Sequence, residues 1–528
     1  MVMKTFILPK DYWDKFELHE DDTELLYNHL LELETPLTTA ELLTLLVKAR
    51  IKRELENLER QQSAGGETYL PKKLFFKDQL VVFPLNDWRL GKVASVRPGK
   101  NPDIDAFEVI MVDFGKGEKR EFAAGLDNHE LNEQPQTFIN DIPHPEEIIE
   151  IHQEVLLERV QKGLETNPDF VYIAGRWFPR TLLIDVNVGH LNLAEAVLDM
   201  NDGGPLPTAT ILEQVGVEAA VSPKLLEFSM DRALQEDPRF DEVGPAGEIQ
   251  WFLQRLEPKE VLQTPIFLRH KPERYDRAVL TKEMLALEQE LDDEYSPIPT
   301  HLHGDSPKKH PDKAEIHLIF PHWRAGTLPL STKVKPIIPT AYEAPRVRFW
   351  LVDGDTKEKF SAWVVRKESY VYGLSQWYVS RGLTPGSIVR IQRGQNPGEV
   401  ILQTNGQRSS RDWMRTVLVG TDGGIVFAML RQIVKAEYDE RMAVVIPKPQ
   451  DLDPIWERMI KERWTLERIV LNLLHELAKL APQGHVHASE LYAAVNLVHR
   501  CPPGPIMALL ASNPQFTHVG DLYFRLVE

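Results

Sequence analysis

The chain has 528 residues, of which 42% are hydrophobic and 27% charged, with a formal net charge of −18. That length allows roughly three to five domains, and the acidic balance excludes a protein that coats nucleic acid by charge alone. A single cysteine, Cys501, excludes a disulfide framework and a thiolate zinc site. No apolar run approaches the ~20 residues of a membrane span, and Met1 to Lys10 lacks a signal-peptide core. A soluble cytoplasmic protein with no membrane partner is expected.

At the N-terminus, Leu25, Leu26, Leu30, Leu31 and Leu33 suit one helical face. A second helix opens at Thr38, with Glu41 three residues on as a capping box. The stretch from Pro36 to Leu43 is similar to Pro205–Leu212, and Val486–Leu491 fills the same place near the C-terminus. Residues 1–67 are therefore expected to form a degenerate helix-turn-helix unit. Its third helix would carry Arg50, Lys52, Arg53 and Arg60, either as a functional surface or as a solvated face. From 68 to 135 the period changes to short strands, Leu80–Phe83, Gly91–Val96 and Phe107–Phe114, with a turn at Gly115–Lys116–Gly117 and a return from Lys119 to Phe122. This order predicts a small β-barrel, on which Arg89, Lys92, Arg97 and Lys100 face either phosphate or plain solvent.

One pattern occurs three times. Leu164, Asn167, Pro168, Phe170 and Trp177–Phe178 form the first copy; Leu234, Asp237, Pro238, Phe240 and Trp251–Phe252 the second; Leu510, Asn513, Pro514, Phe516 and Tyr523–Phe524 the third. The leucine ends a helix, which the Asn–Pro or Asp–Pro step stops because proline disfavours helix at the preceding residue. Strand, tight turn and strand follow. Units at 140–190, 200–265 and 461–528 are expected, each closing as a winged helix does, with the phenylalanines and tryptophans as core. Between them, 266–312 reads as a polar helix from Tyr275 to Tyr295 and a linker whose His301, His303 and His310 are weighed as metal ligands and set aside. Residues 313–405 read as all-strand, with Ile316–Phe320, Arg346–Val352, Lys359–Val365 and Ile388–Arg393 as strands and Gly373–Tyr378 as a helix; 406–460 reads as a β-rich connector with strands Thr416–Val419, Ile425–Leu430 and Met442–Ile446.

Charge singles out one of these regions. From Lys308 to Arg415 there are 18 Lys+Arg against 9 Asp+Glu, a local net of 18 − 9 = +9, leaving −18 − 9 = −27 for the rest. A basic region in an acidic chain is where duplex DNA would dock. No Gly-rich phosphate loop with Lys–Ser/Thr, no Gly-x-Ser-x-Gly elbow and no metal-ligand spacing occurs. Asp353, Asp355 and Lys357 resemble a nuclease cluster but sit where an Asp–Gly hairpin turn is favoured. No enzyme and no cofactor is expected.

Three resemblances add to this reading. The pattern Leu-x-x-(Asp/Asn)-Pro-x-Phe followed by a wing and Trp, above all Asp237–Gly244 with Trp251, resembles the HARE-HTH winged-helix family of the bacterial RNA polymerase delta subunit. That resemblance implies partners in transcription or DNA modification and no catalysis. The helices Ser222–Gln235 and Pro505–Ala511 lack the Arg, Lys, Asn or Gln set that base reading needs, so these units are expected to bind protein or to touch DNA through their wings. The strands at 68–135 resemble SH3/Tudor-like and transcription-elongation barrels. The Leu–Pro segment at 328–329, the Asp–Gly hairpin, Trp363, Trp377 and the Leu-x-Pro-Gly turn at 383–386 resemble the DNA-binding pseudobarrel of plant transcription factors and some restriction enzymes. That implies DNA contact by Arg324, Lys333, Lys335, Arg346, Arg348, Arg366 and Lys367. The expected whole is an α+β multidomain, non-enzymatic DNA-binding protein; the alternatives are an RNA polymerase-associated adaptor that does not read DNA, or the recognition part of a restriction or defence system.

Overall fold

The computed structural model describes residues 12–62, 66–83, 86, 89–101, 106–115, 117–127, 129–132, 144–217, 221–298, 312–341, 344–394, 396, 398–421 and 423–527. The expectations for Met1–Lys10, Trp88, Lys116, the three linker histidines and most of the linker lie outside them. The chain is mixed α+β and divides into two compact units, residues 1–172 with 176–183, and 173–175 with 184–528. No described helix is long and apolar enough to cross a membrane.

The first unit begins with α1 (Glu20–Leu33), the short β1 (Leu37–Thr38) and α2 (Thr39–Gln62). The capping box forms: Thr38 N donates to Glu41 Oε2 at 2.8 Å and Glu41 N to Thr38 Oγ1 at 3.3 Å. Five strands follow, β2 (Glu67–Thr68), β3 (Leu80–Phe83), β4 (Arg89–Pro98), β5 (Glu108–Asp113) and β6 (Lys119–Ala124), paired in chain order around Phe75, Phe83, Val93, Ile110 and Val112. Tyr69 donates to Ala123 O at 2.7 Å and Leu126 N to Pro71 O at 2.8 Å, which ties the two ends of this sheet together. Then come α3 (Pro145–Glu165), β7 (Phe170–Ile173) and β8 (Arg176–Pro179).

The partner of β1 is β8, with Leu37 opposite Trp177, in a sheet ordered β1-β8-β7. The segments expected as separate units at 1–67 and 140–190 thus share one core, in which Leu26, Leu42 and Leu46 pack with Leu156, Leu164, Phe170 and Trp177. The five-stranded sheet is inserted between its second and third helices. Arg50, Lys52, Arg53 and Arg60 lie on α2 rather than on a third helix. The Arg50 guanidinium is used internally, on Asp22 and on Glu17 O at 3.0 Å.

In the second unit the same order returns without interruption: α4 (Val188–Met200), β9 (Leu206–Pro207), α5 (Thr208–Val215), α6 (Pro223–Glu236), β10 (Phe240–Glu242) and β11 (Gln250–Leu253), with sheet order β10-β11-β9. The short α7 (Lys259–Leu262) and α8 (Lys282–Leu291) connect it to the next region. The polar helix expected from Tyr275 to Tyr295 is confined to α8. Thr281 Oγ1 caps its start and Asp292, at φ 45°, ends it.

Next, β12 (Lys313–His317), α9 (Phe320–Ala325), β13 (Thr327–Pro329), β14 (Arg346–Asp353), β15 (Lys359–Val365), β16 (Tyr370–Tyr372), α10 (Ser375–Arg381), β17 (Ile388–Arg393) and β18 (Glu399–Gln403) build a seven-stranded sheet curled into a half-barrel. The order is β12-β17-β18-β14-β15-β16-β13. The strand expected over Ile316–Phe320 stops at His317, because Pro321 falls in the first turn of α9, where proline is tolerated. The Leu-x-Pro-Gly turn is demanding: Gly386 has φ +89°, and a Cβ there would lie 2.3 Å from Ala443 Cα.

Two long strands, β19 (Gly406–Val419) and β20 (Ile425–Ala436), form a separate ribbon. The strand expected at Met442–Ile446 is reduced to one bridge, Thr416 with Val445. After α11 (Asp453–Glu462), the third copy runs α12 (Leu466–Ala478), β21 (Val486–His487), α13 (Ala488–Val495), α14 (Pro503–Ser512), β22 (Phe516–Gly520) and β23 (Tyr523–Leu526), ordered β21-β23-β22. Phe170, Phe240 and Phe516 are all buried.

Register corrects the aromatic pairing of the copies. Leu206 lies opposite Trp251 in the second, and Val486 opposite Phe524 in the third. Phe524, not Tyr523, therefore corresponds to Trp177 and Trp251, and a bulge between His518 and Gly520 absorbs the extra residue. The hydrogen bonds agree. Trp177 Nε1 donates to Thr39 Oγ1 at 3.0 Å and Trp251 Nε1 to Thr208 Oγ1 at 3.1 Å. In the third copy a buried Ala488 stands where the threonine was, and a phenylalanine, which has no N–H, stands where the tryptophan was.

Candidate nucleic-acid interface

Alternation on β14 places Arg346 and Arg348 on one face of the strand, with Val347 and Phe349 in the half-barrel core. That face is covered by the second module. Arg346 Nε lies 2.8 Å from Asp241 Oδ2 and 3.0 Å from Glu257 Oε2. Burial raises the Glu257 carboxyl, and the neighbouring Asp241 carboxylate raises it further. One guanidinium faces two carboxyls, and the arrangement favours a proton on Glu257. Arg348 donates to Gly204 O at 2.7 Å, and its backbone N donates to Val243 O at 2.8 Å. Its guanidinium lies over the rings of Phe252 (5.2 Å) and Trp363 (5.8 Å), which meet edge-on at 5.2 Å. Arg348 is partly buried, and burial lowers its pKa, so its guanidinium is committed to these contacts.

The second aromatic of the repeated pair gains a purpose here. Trp251 faces the core of its own module, while Phe252, on the other face of β11, packs with Trp363, Val365 and Tyr370 of the half-barrel. Replacing Arg348 by methionine is expected to destabilise this contact by about 2 kcal/mol, through the lost ring contacts and the unpaired Gly204 carbonyl. Urea unfolding of the full chain measures it.

The remaining sequence candidates divide. Arg324, on α9, pairs with Asp453 Oδ2 at 2.8 Å and lies over Phe267. Lys333 Nζ donates to Glu290 O at 3.0 Å, and Arg366 Nη1 to Ala344 O at 2.8 Å. Lys335 and Lys367 are exposed and form no ion pair with a described residue. Elsewhere in the basic region, Arg390 pairs with Glu315 and Glu437, Lys359 with Glu399, and Arg415 with Glu490. Much of the local excess of +9 is thus answered by carboxylates, several of them from other segments.

Lys313, like Lys335 and Lys367, is exposed and forms no ion pair with a described residue. Lys313 lies opposite Gln392, Arg346 opposite Val365, and Pro329 opposite Tyr370, so the starts of β12, β14 and β16 and the ends of β13, β15 and β17 share one end of the half-barrel. Leu330 N donates to Ser369 O at 2.9 Å, and Arg393 Nη2 to Pro336 O at 2.5 Å, which draws the 331–339 loop across that end. That loop brings Lys335 near Arg393, whose Nε lies 3.9 Å from Asp312 Oδ1, while Lys367 lies in the turn between β15 and β16. Lys313 and Arg393 were not singled out in the sequence, because only the pairing of the edge strand β12 with β17 places them on neighbouring strands.

At the opposite end, a cleft of about 540 Å³ is lined by Asp353, Ser361, Gln376, Trp377 and Arg381. Its carboxylate is committed. Asp353 Oδ1 accepts from Asp355 N and Thr356 N at 2.9 Å each, and Oδ2 accepts from Trp377 Nε1 at 2.6 Å and Arg381 Nε at 2.9 Å. Burial would raise this carboxyl, but the Arg381 guanidinium and the donated hydrogen bonds hold it well below the usual range. Lys357 Nζ turns back onto Gly354 O at 2.6 Å. These contacts describe a braced hairpin turn.

On the five-stranded sheet, Arg89, Lys92 and Arg97 pair with Glu118, Asp78 and Glu121, while Lys100 is exposed. Among the described residues no group of three or more His, Cys, Asp or Glu is placed to hold a metal ion. Compared with family models, curated proteins and solved structures, the chain gives no significant match.

Proposed function

We propose that the chain is a non-enzymatic, multidomain DNA-binding protein, of the transcription-associated kind that its winged-helix resemblance implies. Three modules of order helix, short strand, helix, helix, strand, strand act as winged helices, the first of them carrying an inserted SH3-like barrel. The observation that carries the DNA reading is that Lys313, Lys335 and Lys367 of the half-barrel are exposed and without an ion pair to a described residue, in a region whose other cations are mostly paired. These side chains contact phosphates. Arg346 and Arg348, in this reading, hold the second module in place and read no base.

The test uses the full chain and a labelled duplex of about two helical turns, with binding followed by fluorescence anisotropy from about 50 to 200 mM salt. Affinity is expected to fall steeply, with a slope in log–log form near −0.9 per neutralised phosphate. The double variant Lys335→Glu, Lys367→Glu is expected to weaken binding to all sequences alike and to flatten the slope by about 2. Arg346→Lys and Arg348→Lys should leave sequence preference unchanged. Absence of duplex binding by the wild-type chain at about 50 mM salt would overturn this reading in favour of an adaptor that contacts only protein. One observation favours that second reading: the wing strand β11 uses its outer face, through Phe252, for a protein–protein type of contact, here with the half-barrel of the same chain.

A further inference from the structure

The ribbon of β19 and β20 spans from the half-barrel to the C-terminal module, and it leaves apolar side chains in solvent on both of its faces. Paired residues share a face, which sets Arg411, Trp413, Arg415, Met429, Arg431 and Ile433 on one side and Leu418, Val426 and Leu430 on the other. Trp413 is 61% exposed, Ile433 56%, and Val426 and Met429 41% each. The first side alternates arginine with apolar groups directly across the strands, Arg411 with Ile433, Trp413 with Arg431, Arg415 with Met429. Among its described residues this side carries no carboxylate, Asp412 lying on the other side, in a chain of net charge −18. Arg415 is tied to Glu490 at 2.9 Å, whereas Arg431 lies over Trp413 at 5.4 Å and Arg411 is exposed.

The two edges of the ribbon differ. Along β19, Val417 N donates to Val445 O and Val445 N to Arg415 O, both at 2.9 Å. Along β20, no described residue makes a backbone hydrogen bond to Val426–Val434 from the outer side. An unpaired, largely apolar edge strand is a template for an added strand. Near its turn the same strand borders a cleft of about 520 Å³, where Arg458 and Arg468 lie over Trp464, and Trp464 Nε1 donates to Glu462 Oε2 at 2.7 Å.

We propose that the outer edge of β20 binds an extended segment of a partner protein as an added strand, and that this segment alternates acidic and aliphatic residues. A strand places successive side chains on opposite faces. Its acidic set therefore lies on the side of Arg431 and Arg411, and its aliphatic set covers Val426 and Leu430, which a base stacked on Trp413 would not do. The cations select its charge: Arg431 on the strand and Arg411 across the ribbon. A second copy of β20 is disfavoured, since Ile425–Ala436 contains Arg431 and Lys435 and no carboxylate.

The probe is a labelled eight-residue peptide alternating glutamate with valine and isoleucine, titrated into the full chain and followed by fluorescence anisotropy. It is expected to bind and to raise the hydrogen-exchange protection of amides within 426–434. The same peptide with lysine for glutamate, or with alternate amides N-methylated, is expected to bind at least about tenfold more weakly. Arg431→Glu, at an exposed side chain, is expected to weaken the glutamate peptide by about the same factor. Equal binding of the lysine peptide, or indifference to Arg431→Glu, would overturn the proposal. So would binding of oligothymidylate lost in Trp413→Ala, or concentration-dependent dimerisation abolished by Ile433→Lys; these outcomes assign the ribbon to single-stranded nucleic acid or to a second copy.

Discussion

Arg500→Ala is expected to cost the second unit about 3–5 kcal/mol, or its cooperative unfolding altogether, because it strands two carboxylates in the interior. Arg500, Asp293 and Glu294 have side chains 0%, 0% and 2% exposed. Arg500 Nη2 lies 2.8 Å from Asp293 Oδ1 and 2.7 Å from Glu294 Oε1, and Nη1 donates to Asn496 Oδ1 at 3.1 Å. Tyr492 donates to Asp293 Oδ2 at 2.6 Å. His322, on α9, lies 3.0 Å from Glu294 Oε1 and 2.8 Å from Thr327 Oγ1. One buried network thus joins the connector after α8, the half-barrel and the C-terminal module. Arg500→Lys should recover only part of the loss, since a single ammonium cannot match the planar fork. Urea unfolding followed by near-ultraviolet circular dichroism measures both variants; a loss below about 1 kcal/mol for Arg500→Ala would refute the network's role. Burial by itself would raise the Glu294 carboxyl, but Arg500 and then His322 hold it well below its ordinary value of 4.5. A depressed folded pKa gives stability that is present above 4.5 and lost as pH falls below it, so the second unit is expected to unfold early in acid.

Asp231→Asn is expected to act in the opposite direction, stabilising the second module at pH 8. Asp231 is 3% exposed, accepts from Trp251 Nε1 at 2.9 Å and from Thr208 Oγ1, and forms no ion pair with a described residue. Burial raises its carboxyl to about 7, from 3.8. A raised folded pKa gives stability that is full below 3.8 and lost as pH rises to about 7, amounting to roughly 4 kcal/mol. The asparagine oxygen accepts the same two hydrogen bonds and carries no charge to bury. Wild type and variant should therefore be close in stability near pH 4, with the variant's advantage growing through pH 7. Parallel urea titrations at pH 4.5 and pH 8 measure the difference; a variant less stable than wild type at both would show that the ionised carboxylate is what the module needs.

The sequence by itself determined the local events. Proline steps after Leu164, Leu234 and Leu510, the capping box at Thr38, the Asp–Gly turn at 353–355 and the alternation along β14 each depend on a few neighbouring residues, and each stands in the folded chain. The likeness of Pro36–Leu43 to Pro205–Leu212 was also legible, since both place a leucine opposite a tryptophan on a distant strand. The tertiary structure alone decided which strand meets which. Leu37 finds Trp177 across the inserted sheet, and no short-range pattern encodes that separation. Register then decided that Phe524 rather than Tyr523 is the core aromatic of the third copy, because a one-residue slip exchanges the two faces of a strand. The basic region shows the same division. Its charge was countable, but whether a cation is free depends on the carboxylates that packing brings to it. Asp241 and Glu257 consume Arg346, and Asp453 consumes Arg324, while Lys335 and Lys367, in loops, stay exposed.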